Sequence, residues 1–405
     1  MKCRACNGNT EQFLSLGQQP LPNRFLLREQ LDQPEPRYPL ELYFCSWCSL
    51  VQLGIVAPPE DLFSEYLFAS STSPLTRAHF TGLAAHLQET FHLDSDSKVV
   101  DIASNDGIML RAWRDLGVSA IGVEPAKNLC ELAWADGLHT LNEFFTNETV
   151  GKIGPESAHL VSAINVLAHV PDLDSFCRNV KKLLRSDGVF VAEVQYFRDT
   201  LTGLSFDNCY LEHVYYFTLT SLARCLSYHG LPVFAAERVN THGGSLRVYA
   251  HKLLAATPGR VDHIGKRQII QEEQSMGLYA MAPYRAFAKN VAKAGHQLRE
   301  RLLAIKADGK SIAGYGAAAK STTILNFAGV GPETIDYIVD DSPLKQGTWS
   351  PGVHIPIVGP EELRWARPDV ILVLAWNHLE TIKAKTSYLG ADYIIPVETP
   401  ERSRS

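Results

Sequence analysis

Apolar and polar positions alternate along the chain in a pattern that predicts strands followed by helices. In the stretch 98–145 a short apolar run ends in Asp101, a tight turn follows at Asn105-Asp106-Gly107, and a helical pattern then begins. A second strand, Ala120–Val123, ends in Glu124. Because strands and helices keep alternating, the pattern predicts a doubly wound sheet, in which ligands bind beyond the carboxyl ends of the strands.

Further elements are predicted on both sides of this stretch. A helix is expected over Leu75–Phe91, with Ser73 as its N-cap and Pro74 at its first position. Val261–Gln274 is polar and irregular, and a long helix with one apolar face follows as a strut between domains. The other predicted elements are a strand at Ala158–Ala163, a helix at Leu173–Leu184, a turn at Asp187-Gly188, a strand at Val189–Val194, the long helix from Pro283 to about Ile305, and strands at Ser311–Ala313 and Val370–Ala375.

Composition excludes several classes of function. Apolar residues make up 45% of the 405 residues and charged residues 20%, as in a globular protein. The net charge of −6 gives no basic face for nucleic acid or for a membrane surface. No apolar window approaches the ~20 residues of a spanning helix, and the N-terminus has no signal-peptide pattern. We therefore expect a cytoplasmic protein with neither nucleic acid nor membrane as a partner, and the oligomeric state stays open.

Four of the eight cysteines form two close pairs near the N-terminus. Cys3 and Cys6 form one C-x2-C pair, and Cys45 and Cys48 form the other. Two such turns can aim four thiolates at one ion, which predicts a tetrahedral zinc site. Four buried thiols or a redox pair are the alternatives. A closed four-thiolate site has no open coordination position, so the zinc is expected to be structural.

The turn after the first central strand is a candidate cofactor site. It lacks the G-x-G-x-x-G of dinucleotide folds and has Asp-x-Ala-x-x-x-Gly, a looser pattern typical of S-adenosylmethionine (SAM) sites. Acidic strand ends with glycine turns also occur in ordinary α/β domains. A carboxylate after the second strand can bind ribose hydroxyls. The candidate cofactor-binding residues are Asp101, Asn105, Asp106, Gly107, Glu124, Pro125, Phe144 and Asn165.

The segment 206–217 is the densest polar and aromatic cluster of the chain. Tyr210, Glu212 and His213 lie within four residues, so a histidine base can have its own orienting partner. A surface Glu–His pair beside core aromatics is the alternative. His169 follows a predicted strand end and is either a loop residue or a catalyst, and the role of Tyr66 is equally open. The pair Gly243-Gly244 lets the backbone approach another group closely.

The last third of the chain predicts a second, smaller Rossmann-like unit. A strand leads into Gly314-Tyr315-Gly316, and Lys320 follows at the start of a helix, which suits a phosphate group. NAD is possible there, although the third glycine of the dinucleotide fingerprint is missing. The candidate substrate-binding residues are Tyr315, Lys320 and Asn377.

Taken together, the motifs resemble those of the zinc-containing, SAM-dependent C-methyltransferases of deoxysugar biosynthesis, notably the nucleotide-4-ketosugar 3-C-methyltransferases. The likeness runs in order through the two CxxC pairs, LGQQPLPNRF, EYLFASS, SNDGIML, the HVP turn, YLEH, HGGSLR, GYGAAAKS, PGVHIP and AWNH. The resemblance implies an α/β protein with an N-terminal zinc-binding domain (1–60), a class I SAM methyltransferase domain of Rossmann-like fold (61–255), a helical linker (256–308) and a C-terminal Rossmann-like substrate domain (309–405).

The resemblance also assigns roles residue by residue. Tyr66 matches the family's active-site tyrosine in Y-x-Y-x-S, where the second tyrosine is Phe68 here. His169 matches the histidine of the HVP turn. Tyr210, Glu212 and His213 match the Tyr-x-Glu-His motif, in which the histidine is the expected base. Two departures are Ala103, where the family usually has glycine, and Asp101, where many relatives have glutamate.

The implied function is C-methylation of a nucleotide-linked 4-keto-deoxysugar. A base removes the proton on carbon 3, next to the ketone, and the resulting enolate takes the methyl group of SAM. A histidine, with an unperturbed pKa of ~6.5, suits that step. The alternatives are an O- or N-methyltransferase on a related nucleotide sugar, an NAD-dependent sugar oxidoreductase, and a binding protein that has lost catalysis. The sequence does not specify the nucleotide, the sugar or the stereochemistry.

Overall fold

Three β-sheets organise the protein in a computed structural model that describes residues 1–58, 70–241, 243–252 and 263–397. The N-terminal part contains strands β1 (Thr10–Pro20), β2 (Arg37–Cys45) and β3 (Val51–Leu53). The central part contains α1 (Pro74–Phe91), β4 (Lys98–Ile102), α2 (Ile108–Asp115), β5 (Ser119–Val123), α3 (Lys127–Ala135), β6 (Thr140–Leu141), α4 (Asn147–Ile153), β7 (Ala158–Ile164), α5 (Leu173–Leu183), β8 (Leu184–Gln195), α6 (Phe197–Thr202), β9 (Tyr215–Tyr216), α7 (Leu219–Tyr228), β10 (Val233–Val239) and β11 (Ser245–His251).

The last third adds a long helix and a second α/β unit. Its elements are α8 (His263–Ser275), α9 (Met281–Ala307), β12 (Ile312–Tyr315), α10 (Ala319–Ala328), β13 (Tyr337–Val339), β14 (Ile357–Val358), α11 (Glu362–Trp365), β15 (Val370–Val373), α12 (Leu379–Thr386) and β16 (Asp392–Ile394). Single 3₁₀ turns lie at Arg28–Gln30, Ser70–Thr72, Leu167–His169, Phe206–Asn208, Trp376–His378 and Ser387–Leu389.

The central sheet has seven strands in the order β10-β11-β8-β7-β4-β5-β6. The five strands from β8 to β6 run parallel, and β10 and β11 complete the sheet as an antiparallel hairpin. The carboxyl ends of β4, β5 and β7 therefore meet at one edge, where the sequence places the candidate cofactor residues. The predicted α/β fold class is confirmed.

Most element predictions in this region hold. Ser73 caps α1 by accepting a hydrogen bond from the amide of Thr76. The predicted turn at Asp187-Gly188 lies inside the range of β8, at a register shift between β7 and β8. Two residue steps on β7 face five on β8 there, so β8 bulges between Leu184 and Val189, and Gly188 packs against the carbonyl oxygen of Ala158.

The stretch predicted to be polar and irregular also contains a helix, α8. The fold stabilises it through a buried carboxylate, which sequence periodicity does not reveal. Glu273 accepts hydrogen bonds from the hydroxyl of Tyr196 at 3.0 Å and from the amide of Thr220 at 2.9 Å. These contacts anchor α8 to the start of α7.

The long helix α9 joins the N-terminal and C-terminal units, as the sequence predicts. Its buried residues Tyr284, Phe287 and Val291 share a hydrophobic core with the N-terminal sheet. About two turns further along, Leu298 and Leu302 pack into the core of the C-terminal sheet. The exact domain limits stay a prediction.

The N-terminal and C-terminal sheets differ in their strand directions. The N-terminal sheet has the order β1-β2-β3-β9, so Tyr215–Tyr216 of the central part supplies its last strand. The C-terminal sheet is parallel, with the order β14-β13-β12-β15-β16. Among the residues that the structure describes, none of the helices combines the length and the apolar character that a membrane span requires.

Candidate active site

The two CxxC pairs converge on one point of the N-terminal part. The four sulfur atoms lie within 4.8 Å of one another. Cys3 Sγ is 3.6 Å from Cys48 Sγ, and Cys6 Sγ is 3.6 Å from Cys45 Sγ. Four sulfurs at ~2.3 Å from a tetrahedral zinc ion would be separated by ~3.8 Å, so the donor set fits the metal.

Both cysteine turns have the same local form. The amide of Asn7 donates to the carbonyl of Cys3 and the amide of Ser49 to that of Cys45, at 2.9 and 2.8 Å. Asn7 and Ser49 have the positive φ values of 58° and 64° that close such turns. The backbone of each turn therefore directs its two thiols towards the same point.

The loop between β4 and α2 forms the candidate cofactor site. Ala103, Asn105 and Gly107 have φ values of 53°, 54° and 81°. A side chain at Gly107 would also collide with Leu138, so glycine is required there. Ala103 occupies the left-handed region with a Cβ atom, which gives a physical reason why glycine would suit that position.

Two buried carboxylates stand at the ends of β4 and β5. Ser162 donates to Asp101 at 2.6 Å, yet burial raises the pKa of Asp101 to about 7. Glu124 accepts from the amides of Asn105 and Ala126 at 2.8 and 2.9 Å, and burial raises its pKa despite these bonds. Glu124 thus holds the loop in place, and each of its oxygens keeps a second lone pair for a ribose hydroxyl.

The other candidate cofactor residues border the same edge of the sheet. Asn105 and Asp106 accept hydrogen bonds from Ser70 and Ser71, which tie the segment before α1 to the loop. Pro125 follows Glu124 and is half-buried, and Phe144 is 47% exposed. Asn165 follows β7 and has a φ of 60°. An exposed aromatic ring and a carboxylate at this edge suit an adenosine group.

His213 and Tyr210 form a directly hydrogen-bonded pair. Tyr210 Oη lies 2.8 Å from His213 Nε2, and His213 Nδ1 lies 3.1 Å from the carbonyl oxygen of Asn208. Because a carbonyl only accepts, Nδ1 carries the proton and Nε2 is the basic nitrogen. Both side chains are half-buried.

The expectation that the Glu212 side chain orients the His213 ring is wrong. Both ring nitrogens of His213 have other partners, and the orienting contact comes from the Asn208 carbonyl. Glu212 instead accepts a hydrogen bond from Asn23 Nδ2 at 2.6 Å. Leu211 and Glu212 are the central residues of a turn in which the amide of His213 donates to the carbonyl of Tyr210 at 3.0 Å, so the Glu212 side chain leaves the turn away from the His213 ring. Burial raises the pKa of Glu212 to about 7, although the bond from Asn23 opposes the shift.

His169 lies against His213 at the carboxyl edge of the sheet. Their ring centroids are 4.8 Å apart and the rings are nearly perpendicular. The amide of Val214 donates to the carbonyl of Ala168 at 2.7 Å, which joins the two loops. Burial lowers the pKa of His169 to about 4, so its ring is neutral near pH 7. Tyr66 lies outside the described residues.

The C-terminal candidates fall into two groups. Lys320 donates to Asn377 Oδ1 at 2.6 Å and lies 4.4 Å above the ring of Trp376. Tyr315 belongs to a separate contact, since its hydroxyl donates to Asp341 at 2.9 Å. The structure therefore brings Lys320 and Asn377 together, while the hydroxyl of Tyr315 is engaged elsewhere.

Lys320 is linked to the loop 206–213, which contains Tyr210 and His213, through one aromatic side chain. Trp376 Nε1 donates to Asp207 Oδ2 at 2.6 Å, next to Asn208, which accepts from His213. Gly243 packs against the Trp376 ring, so the close approach predicted for the glycine pair has an identified partner.

Helix α10 adds contacts to both other parts of the chain. The hydroxyl of Thr323 donates to the carbonyl of Cys209, and that of Thr322 donates to the carbonyl of Pro22, each at 3.1 Å. The loop 206–213 is thus surrounded by segments from the N-terminal, central and C-terminal parts.

Several contributing residues were not found by sequence reasoning. Asn208 acts through its backbone, which leaves no side-chain signal. Trp376 had a signal, because it stands beside Asn377 in the AWNH motif. Asn23 had one too, within LPNRF, but its partner lies 189 residues away.

Comparisons with known proteins cover nearly the whole chain. Residues 3–63 match a family model described as a zinc binding domain, 76–235 match a methyltransferase domain, and 240–397 match a C-methyltransferase C-terminal domain. The chain is 34% identical over 408 residues to the C-methyltransferase NovU of Streptomyces niveus, covering 98% of this chain and 96% of that protein.

Solved structures resemble only part of the chain. A SAM-dependent methyltransferase from Archaeoglobus fulgidus aligns at 14% identity and a TM-score of 0.38, over 44% of this chain and 94% of that one. The PH0226 protein of Pyrococcus horikoshii aligns at 14% identity and a TM-score of 0.38, over 48% of this chain and 98% of that one.

The family assignment rests on the three domain models and the whole-chain match. They make the protein a SAM-dependent methyltransferase with a structural zinc site at its four cysteines. The chain belongs to the zinc-containing sugar C-methyltransferase family.

Proposed function

We propose that this C-methyltransferase acts on a nucleotide-linked 4-keto-deoxysugar and methylates carbon 3 through an enolate. The observation that carries the proposal is the Tyr210–His213 pair, in which the Asn208 carbonyl leaves Nε2 as the basic nitrogen. A C–H bond next to a ketone is acidic enough for a histidine base once the enolate oxygen is stabilised. An O- or N-methyltransferase needs no such stabilisation.

His213 is proposed to take the carbon-3 proton on Nε2. In the structure the hydroxyl of Tyr210 lies 2.8 Å from that nitrogen. With a ketosugar in place, this hydroxyl turns to the ketone oxygen and donates to it as negative charge develops. Proton removal from Tyr210 is not required, so the tyrosine acts as a donor throughout.

His169 is proposed to line the site as a neutral ring beside the base. Burial lowers its pKa to about 4, although a hydrogen bond to the backbone of Glu212 opposes the shift, so the ring carries no positive charge at working pH. Its contact with His213 places it beside the base. A second imidazole that stayed charged would repel protonated His213, and the low pKa avoids this.

SAM, when bound, supplies an electrophilic methyl group at the carboxyl edge of the central sheet. Glu124, Asp101 and the loop from Ala103 to Gly107 are proposed to hold it. The zinc ion at the four cysteines has a closed donor set and is structural. It stabilises the N-terminal turns, from which the chain continues to Asn23.

The C-terminal unit is proposed to hold the diphosphate of the nucleotide. Lys320 presents an ammonium group beside Trp376, close to the catalytic loop. The loop before α10 lacks the third glycine of the dinucleotide fingerprint, and Asp340, after the second strand, is paired with Lys345 at 3.3 Å, which Glu124 in the SAM site is not. This arrangement favours a nucleotide sugar over NAD.

The test is incubation with SAM and a panel of nucleotide 4-ketosugars, followed by mass spectrometry and NMR of the product. We expect a product with one added methyl group on carbon 3, and no product from His213→Asn. Methylation of an oxygen or nitrogen atom would refute the proposed chemistry, and turnover of 4-hydroxy sugars alone would refute the ketone requirement.

A further inference from the structure

A second group of metal-binding side chains lies apart from the four-cysteine cluster. Cys177 on α5, Cys225 on α7 and His229 just after α7 are all buried, and their ligand atoms lie within 4.8 Å of one another. Cys225 and His229 are four residues apart, so both face the same side, towards α5. Two thiols and an imidazole are a donor set that zinc prefers.

The imidazole has one nitrogen that the protein does not satisfy. His229 Nδ1 lies 3.3 Å from Asp174 Oδ1, and Nε2 is buried without a hydrogen-bond partner among the residues that the structure describes. Only 4% of the His229 side chain is exposed. A buried polar atom of this kind is unfavourable unless a ligand satisfies it.

Asp174 completes an arrangement common at metal sites. A histidine that binds a metal through one nitrogen usually donates the other N–H to a carboxylate, which fixes the tautomer and the ring orientation. Asp174 lies on α5, three residues before Cys177, and its side chain is 43% exposed. Its charge is therefore hydrated while it orients the buried ring.

The surroundings favour a neutral metal complex. Cys177 and Cys225 lie in the apolar core with Phe176, Val180 and Leu222. Two thiolates balance the charge of a divalent cation, so the complete complex adds no net charge to this core. A hard cation such as Mg²⁺ would instead require oxygen ligands.

We propose that Cys177, Cys225 and His229 form a second metal site that binds zinc or a similarly thiophilic cation and joins α5 to α7. Each helix follows a loop of the candidate active site, since α5 begins four residues after His169 and α7 six residues after His213. Arg224 on α7 also donates to Ser49 Oγ in the zinc-binding turn at 3.0 Å. The ion thus fixes the relative positions of the loops that contain His169 and His213. Through Arg224 it also connects them to the N-terminal part.

The test is the zinc content of the full chain after incubation with zinc and gel filtration, measured by elemental analysis. We expect about two ions per wild-type chain, and about one in Cys225→Ser and in His229→Gln. The matched control is Val180→Ala, which removes buried volume from α5 without removing a donor and should keep both ions. About one ion in the wild type, or an unchanged content in both variants, overturns the proposal.

Two measurements on the wild type keep the test decisive if the variants fold poorly. In a cobalt titration of the metal-free protein, the second equivalent should give about half the thiolate charge-transfer absorbance of the first, because two sulfurs replace four. A second equivalent without such absorbance overturns the site. Thiol alkylation during denaturation should label both Cys177 and Cys225, whereas a disulfide between them would overturn it.

Discussion

Asn23 donates a hydrogen bond from Nδ2 to Oε1 of Glu212 at 2.6 Å, across 189 residues of sequence. Asn23 belongs to the connection between β1 and β2, and Glu212 lies in the loop 206–213 and is 2% exposed. The N-terminal part therefore does more than carry a metal ion. It supplies a direct partner for a buried carboxylate next to the proposed base.

Replacing Asn23 with Leu should destabilise the protein. The bond is to a buried carboxyl group, so its loss should lower the free energy of unfolding by about 1–3 kcal/mol at pH 8. Chemical denaturation measures this. The control is Asn9→Ala, which removes an exposed contact with Lys2 and should change stability by no more than about 0.5 kcal/mol. Equal effects of the two substitutions would contradict a special role for Asn23.

Glu212 should make stability depend on pH in a defined direction. Its folded pKa of about 7 exceeds the unfolded value of ~4.3, so the unfolded state ionises first as pH rises. The wild type therefore loses stability from this group between about pH 4 and 7, and the loss is constant above that range. Glu212→Gln carries no charge and should escape the loss. Its stability relative to wild type should rise by on the order of 3–4 kcal/mol between pH 4 and pH 8, since each pKa unit corresponds to about 1.4 kcal/mol.

Urea denaturation of both proteins from pH 4 to pH 8 tests this prediction. Glu131→Gln serves as the control, because it is the same substitution at a carboxylate that is 59% exposed on the surface of α3. A difference between Glu212→Gln and wild type that stays flat over this range would show that Glu212 is ionised in the fold.

Zinc removal should unfold the N-terminal turns. Cys3→Ser or Cys48→Ser leaves three thiolates, and we expect the loss of about one zinc ion per chain together with a fall in melting temperature. Elemental analysis and thermal unfolding measure the two effects. The control is Ser46→Ala, an exposed change inside the second turn. Unchanged zinc content in both cysteine variants would count against the four-cysteine site.

The sequence predicted those features that depend on local pattern. The strand–turn–helix unit after Lys98 and the two CxxC turns follow from residues close in the chain, and the structure contains them. The partner of Glu212, the strand pairing of Tyr215–Tyr216 with the N-terminal sheet and the helix anchored by Glu273 all depend on distant segments. Local periodicity carries no information about such contacts.

The two Rossmann-like units should bind different ligands. Glu124→Ala should weaken SAM by about tenfold or more, because it removes the carboxylate that also fixes the loop at Asn105. Lys320→Ala should chiefly weaken the nucleotide sugar, by a similar factor. Calorimetric titration with SAM, nucleotide sugar and NAD measures each affinity, with Lys383→Ala as an exposed lysine control. Binding of NAD, or an effect of Lys320→Ala on SAM alone, would disprove the division.

The proposed base can be separated from methyl transfer by isotope exchange. If His213 removes the carbon-3 proton, this step should occur without a methyl donor. The substrate is incubated in deuterated water with the enzyme and S-adenosylhomocysteine, and NMR measures the gain of deuterium at carbon 3 that we expect. His213→Asn should abolish both exchange and product formation, while SAM affinity stays near the wild-type value because the cofactor residues lie at the ends of β4 and β5.

Tyr210→Phe provides the matched comparison, because it removes the hydroxyl that contacts Nε2 and keeps the ring. Without that donor the enolate is less stable, so exchange should slow by about 10²–10³-fold and yet remain measurable, since the base is intact. Exchange therefore distinguishes the base from the donor, whereas turnover alone would fall in both variants. Exchange at the full rate in His213→Asn would exclude His213 as the base and leave His169 and Tyr210 as the candidates. Tyr210→Phe keeps His213. If this variant lost exchange completely, the tyrosine oxygen would be the group that takes the carbon-3 proton, and His213 would accept the proton of the tyrosine hydroxyl.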